Sequence, residues 1–161
     1  MKKNVTLSSI LMLLSTLIFS ACNDNEPYQS IHPSPRDGVY EGENLIVTID
    51  GETVTSIKSV RIFSEIIGYA EGTIVGDNGT IGGDPTPIYH TSVIFKGFPG
   101  TNKELTLKTV STLYYFDGKC NIDVTDGFQS YEFLGTFTGD PDSPHSEQGL
   151  ILEFNSIENS L

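Results

Sequence analysis

Asp140, Asp142, His145 and Glu147 crowd the segment from Gly139 to Gly149, the part of the chain richest in side chains able to hold a cation. An oxygen-rich loop can bind calcium, which takes about six to eight oxygen ligands. The spacing matches no EF-hand, and Pro141 and Pro144 equally account for the segment as a rigid turn. Asp140, Asp142 and Glu147 therefore stand as candidate metal ligands beside a purely structural reading. His32, His90 and His145 are scattered, whereas zinc requires several converging ligands. Carboxylate pairs such as Asp123 with Asp126, or Glu132 with Glu153, could serve acid–base hydrolysis. A chain with 21 acidic residues offers such pairs by chance. The sequence has no Gly-x-Ser-x-Gly elbow, phosphate loop, His-Glu-x-x-His helix or Cys-x-x-Cys pair. Neither enzymatic activity nor a cofactor is expected.

The elements that would position these groups have the period of strands. Leu45, Val47 and Ile49 alternate with Ile46, Thr48 and Asp50, and Tyr89, Thr91, Val93 and Phe95 alternate with His90, Ser92, Ile94 and Lys96. Tyr131, Phe133 and Phe137, then Leu150, Leu152 and Phe154, repeat the pattern, so each set turns one apolar face inward. Asp50-Gly51, Asp117-Gly118 and Asp126-Gly127 are aspartate-glycine pairs suited to tight hairpins. Tyr114 to Cys120 accordingly reads as a hairpin turning at Asp117-Gly118. Val60–Ile67 is rich in β-branched residues and reads as a strand. Asp77–Asp84 reads as a second acidic loop, and its Asn78-Gly79-Thr80 matches a glycosylation sequon in form only. The expected fold is all-β: a single antiparallel domain over residues 38–157 with about eight to ten short strands, a small β-barrel or alternatively a β-sandwich.

The start of the chain supplies an address. Lys2 and Lys3 precede an apolar run from Ile10 to Phe19, followed by Ser20, Ala21 and Cys22. That order reads as a secretory signal over residues 1–21, and with Cys22 after the small residues it resembles a bacterial lipoprotein signal. Cys22 would then be the lipidation site. The apolar run falls short of the roughly 20 residues a spanning helix needs. Residues 22–37 would form the lipidated cysteine and a proline-rich linker, in which Asp24 and Glu26 resemble the surface-display signal of Bacteroidetes lipoproteins. The expected location is the outer membrane, on its periplasmic side or at the cell surface.

Loss of Lys2 and Lys3 would move the formal charge from −12 to −14, a surface that repels nucleic acid. It favours solubility and leaves room for a basic protein partner. With Cys22 lipidated, Cys120 has no intramolecular partner, and its alternation with Ile122 and Val124 places it on the apolar side of a strand.

Gly38-Val39-Tyr40-Glu41-Gly42, leading into Leu45-Ile46-Val47-Thr48-Ile49-Asp50-Gly51, resembles the opening of the calycin-like lipoproteins of Bacteroidetes. Tyr131 to Phe137 and Leu150 to Phe154 are similar to their last strands, while Gly76 to Pro87 departs from a compact meander. The resemblance implies an up-and-down barrel of lipocalin-like shape, without implying an activity. Two functional readings follow. One is a monomeric, non-enzymatic ligand-binding module whose interior, lined by Tyr89, Phe95, Tyr114 and Tyr131, takes a small apolar or glycan ligand. The alternative is a surface interaction or inhibitor protein that offers acidic loops to a basic partner.

Overall fold

The computed structural model describes residues 34–76 and 79–158, with the backbone alone for 71–84. The signal segment, Cys22 and the linker as far as residue 33 lie outside the described residues. Nine strands form one mixed sheet: β1 (Gly38–Glu41), β2 (Leu45–Ile49), β3 (Glu52–Thr53), β4 (Ser59–Gly76), β5 (Gly79–Phe95), β6 (Leu105–Ser111), β7 (Tyr115–Val124), β8 (Gly127–Thr138) and β9 (Gly149–Ser156). Their spatial order is β1-β4-β5-β6-β7-β8-β9-β2-β3. Two short 3-10 turns, Gly42–Asn44 and His145–Glu147, are the only helical pieces among the described residues. The all-β expectation holds, as one sheet rather than two stacked ones.

The expectation of a wholly antiparallel sheet does not hold, because β2 lies parallel to β9. The cause is a count of strands. β4 to β9 are consecutive antiparallel neighbours, so β9 runs opposite to β4. β1 is antiparallel to β4 and continues through a three-residue turn into β2. A first leg that opposes β4 must run alongside β9.

That leg also fixes the curvature. In a flat sheet, β1 and β2 would stand seven strand spacings apart, about 34 Å. Only Gly42–Asn44 separates them in the chain, a reach of about 14 Å from Glu41 to Leu45. The sheet must curl until its two flanks come within one short turn of each other. The hydrogen-bonded ladder is not closed: β1 pairs with β4, β2 pairs with β9, and the covalent chain crosses the gap.

Aromatic rings occupy the inside of the curl. Phe98 meets Phe154 edge-on at 5.2 Å between ring centres, and Phe154 meets Phe133 at 6.4 Å. The contact series continues from Phe133 to Phe116 at 6.4 Å, Phe116 to Phe137 at 5.5 Å, and Phe137 to Tyr40 at 5.9 Å. His145 ends it, 4.6 Å from Tyr40. Tilted and edge-on rings at these separations gain favourable electrostatics beyond the area they bury. Val47, Val60, Ile62, Val93, Leu150 and Leu152 complete the core around them.

Two glycines in neighbouring strands make room for these rings. Gly118 on β7 is opposite Phe133 on β8, and Gly135 on β8 is opposite Phe116 on β7. A Cβ on Gly118 would stand 2.6 Å from Phe133 Cζ, and one on Gly135 would stand 2.0 Å from Phe116 Cζ. The expected hairpin at Asp117-Gly118 is thereby corrected: both residues lie within β7, and the glycine accommodates a ring instead of a turn. The other two aspartate-glycine pairs do mark turns. Asp50 (φ 50°) and Gly51 (φ 83°) join β2 to β3, where two successive positive φ values suit a tight hairpin. Thr125 and Asp126 join β7 to β8, with Gly127 at φ 124°. The Asp50 carboxylate also accepts from the Ser156 amide at 2.7 Å and its hydroxyl at 2.6 Å, and these bonds hold its pKa below the usual carboxylate range.

The loop expected at Asp77–Asp84 is also corrected, for the chain is paired on both sides of it. β4 and β5 run as a long hairpin with registers from Val60↔Phe95 to Gly76↔Gly79, Asp77 and Asn78 lying outside the described residues. β6 covers β5 only from Tyr89 to Phe95, so beyond Tyr89 the hairpin continues as a two-stranded ribbon. Pro85 and Pro87 lie on the free edge of that ribbon, where an absent N–H weakens pairing with another strand.

Candidate functional site

Residues 34–37, expected to belong to the linker, are part of the fold. Arg36 is only 1% exposed. Its guanidinium donates from Nε to the Leu113 carbonyl (2.8 Å), from Nη1 to the Thr138 carbonyl (3.2 Å) and Gln148 Oε1 (3.0 Å), and from Nη2 to the Gly139 carbonyl (2.9 Å). The charge also stands 5.4 Å from the centre of the Phe137 ring. Burial pulls the pKa of Arg36 below its ordinary value, yet arginine remains charged at any physiological pH. Gln148, 2% exposed, passes the order onward: its Nε2 donates to the carbonyls of Ser143 (2.9 Å) and Pro141 (3.3 Å). One arginine therefore ties the β6–β7 turn to the end of β8 and to the β8–β9 loop.

The same short segment is stitched to the other flank. Tyr40 Oη donates to the Arg36 carbonyl at 2.8 Å, and burial lifts its pKa to about 12. Asp37 faces Ser64, and burial, the larger influence, raises its pKa. Ser64, Thr91 and Ser111, all buried, form a hydroxyl chain across β4, β5 and β6 with oxygen separations of 2.9 and 2.5 Å. Ser34 lies beside Tyr89, whose pKa is raised by burial, and its hydroxyl accepts from the Arg36 amide at 3.2 Å. The inside of the curl thus has an aromatic part and a polar part, and residues 34–37 plug the polar one. We call this the Arg36 end.

The four residues expected to line a ligand cavity do not all share one space. Phe95 and Tyr131 are buried, and both touch Phe154 and Phe98. The Tyr131 hydroxyl also bonds Gln129, and burial raises its pKa. Tyr89 is buried beside Ser34, and Tyr114 is exposed on the β6–β7 turn. The candidate metal ligands are not gathered either. Asp140, Asp142 and Glu147 are exposed, and Asp140 Oδ1 accepts from the Asp142 amide at 2.9 Å, tying its own turn. Among the described residues no three histidine, cysteine or acidic side chains converge enough to hold a metal. His145 instead packs on Tyr40 and over Gly38, where a Cβ would stand 2.5 Å from its Nε2.

The carboxylate pairs also have other neighbours: Asp123 lies 3.5 Å from Lys103 Nζ and Glu132 lies 3.0 Å from Lys119 Nζ. Cys120 is half-buried on β7 against the core, and burial lifts its thiol to about 11. Reaction requires thiolate. In a Cys22→Ala chain, a maleimide at pH 7.5 is therefore expected to label native Cys120 about 100-fold more slowly than the urea-unfolded chain; equal rates would refute its burial.

On the outer face of β4, β5 and β6 lies an open groove of about 510 Å³, lined by Phe63, Glu65, His90, Ser92, Lys108 and Val110 among others. Those side chains alternate with the buried Ser64, Thr91 and Val93, so the strand period alone directs them outward. The expectations drawn from sequence did not include this groove, Arg36 or Gln148. No helix among the described residues is long and apolar enough to cross a membrane. No protein-family model, curated protein or solved structure matches this chain.

Proposed function

We propose that this chain is a lipid-anchored, non-enzymatic protein of the bacterial outer membrane, calycin-like in shape, that works through its outer surface as an interaction protein. One observation carries the choice over an internal ligand carrier: the contact series from Phe98 through Phe154, Phe133, Phe116, Phe137 and Tyr40 to His145 fills the interior with rings. A small barrel can be filled by its own side chains or hold one small ligand, and rings in mutual contact favour the first. The six-strand meander from β4 to β9 and the bridging first leg support the calycin-like shape. The Lys2-to-Cys22 pattern supports the anchor. The outer groove, with an aromatic residue beside Glu65, His90 and Lys108, offers a contact surface for a glycan or a protein. A surface dominated by acids suits a basic protein partner.

Titration of isotope-labelled protein with oleate, followed by amide chemical shifts, tests the reading. No saturable shift is expected at Phe133, Phe137 or Phe154. Saturable shifts at those core amides would restore the internal carrier.

A further inference from the structure

We propose that the Arg36 end is a membrane-docking face, which seats the anchored domain on a bilayer of zwitterionic phospholipid. This inference rests on the lipid anchor proposed above. Its geometry comes from the plug. Arg36 Nε is held by the Leu113 carbonyl, next to Tyr114, and Ser34 lies beside Tyr89, which is opposite Ile66 on β4 and Ser111 on β6. Ser34, the first described residue, therefore sits between the β6–β7 turn and the base of the β4–β5 ribbon. Exposed apolar side chains lie on the same end: Ile67 (49% exposed), Tyr69 (63%), Val110 (50%), Tyr114 (59%) and Tyr115 (50%).

Chain length brings this face to the lipid. Eleven residues separate Cys22 from Ser34, and even fully extended they reach about 40 Å. Tyrosine suits the destination, because its ring enters the acyl boundary while its hydroxyl stays among the headgroups. Charge selects the lipid. The β8–β9 loop at the same end exposes Asp140, Asp142 and Glu147, which an anionic surface would repel. Phe128, 76% exposed, stands by the β7–β8 turn at the opposite end and serves as a control.

Hydrogen exchange on the lipidated full chain, reconstituted in phosphatidylethanolamine–phosphatidylcholine vesicles, tests the proposal against the unlipidated Cys22→Ala chain in solution. Amides of residues 112–115 are expected to exchange at least about ten-fold more slowly on vesicles, with 125–127 unchanged. Tyr114→Ser with Tyr115→Ser should abolish that protection while lipid labelling persists, and Phe128→Ser should preserve it. Protection that is no weaker when phosphatidylglycerol replaces half the lipid at low salt would overturn the zwitterionic assignment. Lipidated protein whose 112–115 amides exchange as in solution would overturn the docking face alone. Absence of lipid on Cys22 would overturn the anchor and the docking face together.

Discussion

Arg36→Ala is expected to destabilise the domain by about 3–5 kcal/mol, the range found when one partner of a buried charged network is removed. The substitution leaves three carbonyls, at Leu113, Thr138 and Gly139, and Gln148 Oε1 without their donor. It also opens a void beneath Phe137. Burying a guanidinium with no carboxylate among its hydrogen-bond acceptors is costly, so the four bonds must be formed together to offset it. Arg36→Lys should recover only part of the loss, because a single ammonium cannot reproduce the planar fork that spans three segments. In urea the midpoint of Arg36→Ala is expected to fall by about 2 M. A chain truncated to begin at Asp37 should behave like Arg36→Ala. Wild-type stability in either would show that the arginine is a bystander.

Gly135→Ala is expected to cost about 3 kcal/mol, the upper part of the range for overpacking. Its new methyl would stand 2.0 Å from Phe116 Cζ, and Phe116 is fully buried against Phe133 and Phe137. The ring cannot retreat. Nor can the strand, since β8 is paired on both sides, to β7 and β9. Phe116→Leu alone should also destabilise, by leaving a cavity. Combined with Gly135→Ala it should restore stability, with a coupling of at least about 1 kcal/mol in a double-mutant cycle. Additive losses in urea unfolding would show that the glycine does not serve the ring. Gly118→Ala should follow the same rule more mildly, because its nearest atom, Phe133 Cζ, is further away at 2.6 Å.

The period of two exposes much of the sheet to a reader of the sequence. Leu45 to Ile49, Tyr89 to Phe95, Tyr131 to Phe137 and Leu150 to Phe154 all lie in strands, with the anticipated side inward. Alternation states which way a side chain points; it does not state what lies there. That is why Phe95 and Tyr131 were natural candidates for a ligand wall and instead contact other rings. The aspartate-glycine pairs make the same point locally. Asp50-Gly51 turns, whereas Asp117-Gly118 does not, and the difference is Phe133 on the neighbouring strand, a tertiary partner invisible in a dipeptide. Arg36 was hidden by its surroundings, since Pro33 and Pro35 just before it give the segment a linker's composition. The metal reading of Asp140, Asp142 and Glu147 drew on proximity in sequence, while the loop's internal order comes from Gln148 and Arg36.

The parallel pairing of β2 with β9 has a consequence for when the protein can fold. Leu45 meets Leu150 across 105 residues of chain, and the whole β2–β9 ladder waits for that meeting. Closing so long a loop has a large entropic cost that local turns cannot offset beforehand. A chain emerging from a ribosome can form the hairpins from β4 to β8 early, but the sides of β2 and β8 that face β9 stay unpaired until β9 arrives. Completion of the fold is therefore tied to arrival of the C-terminal strand.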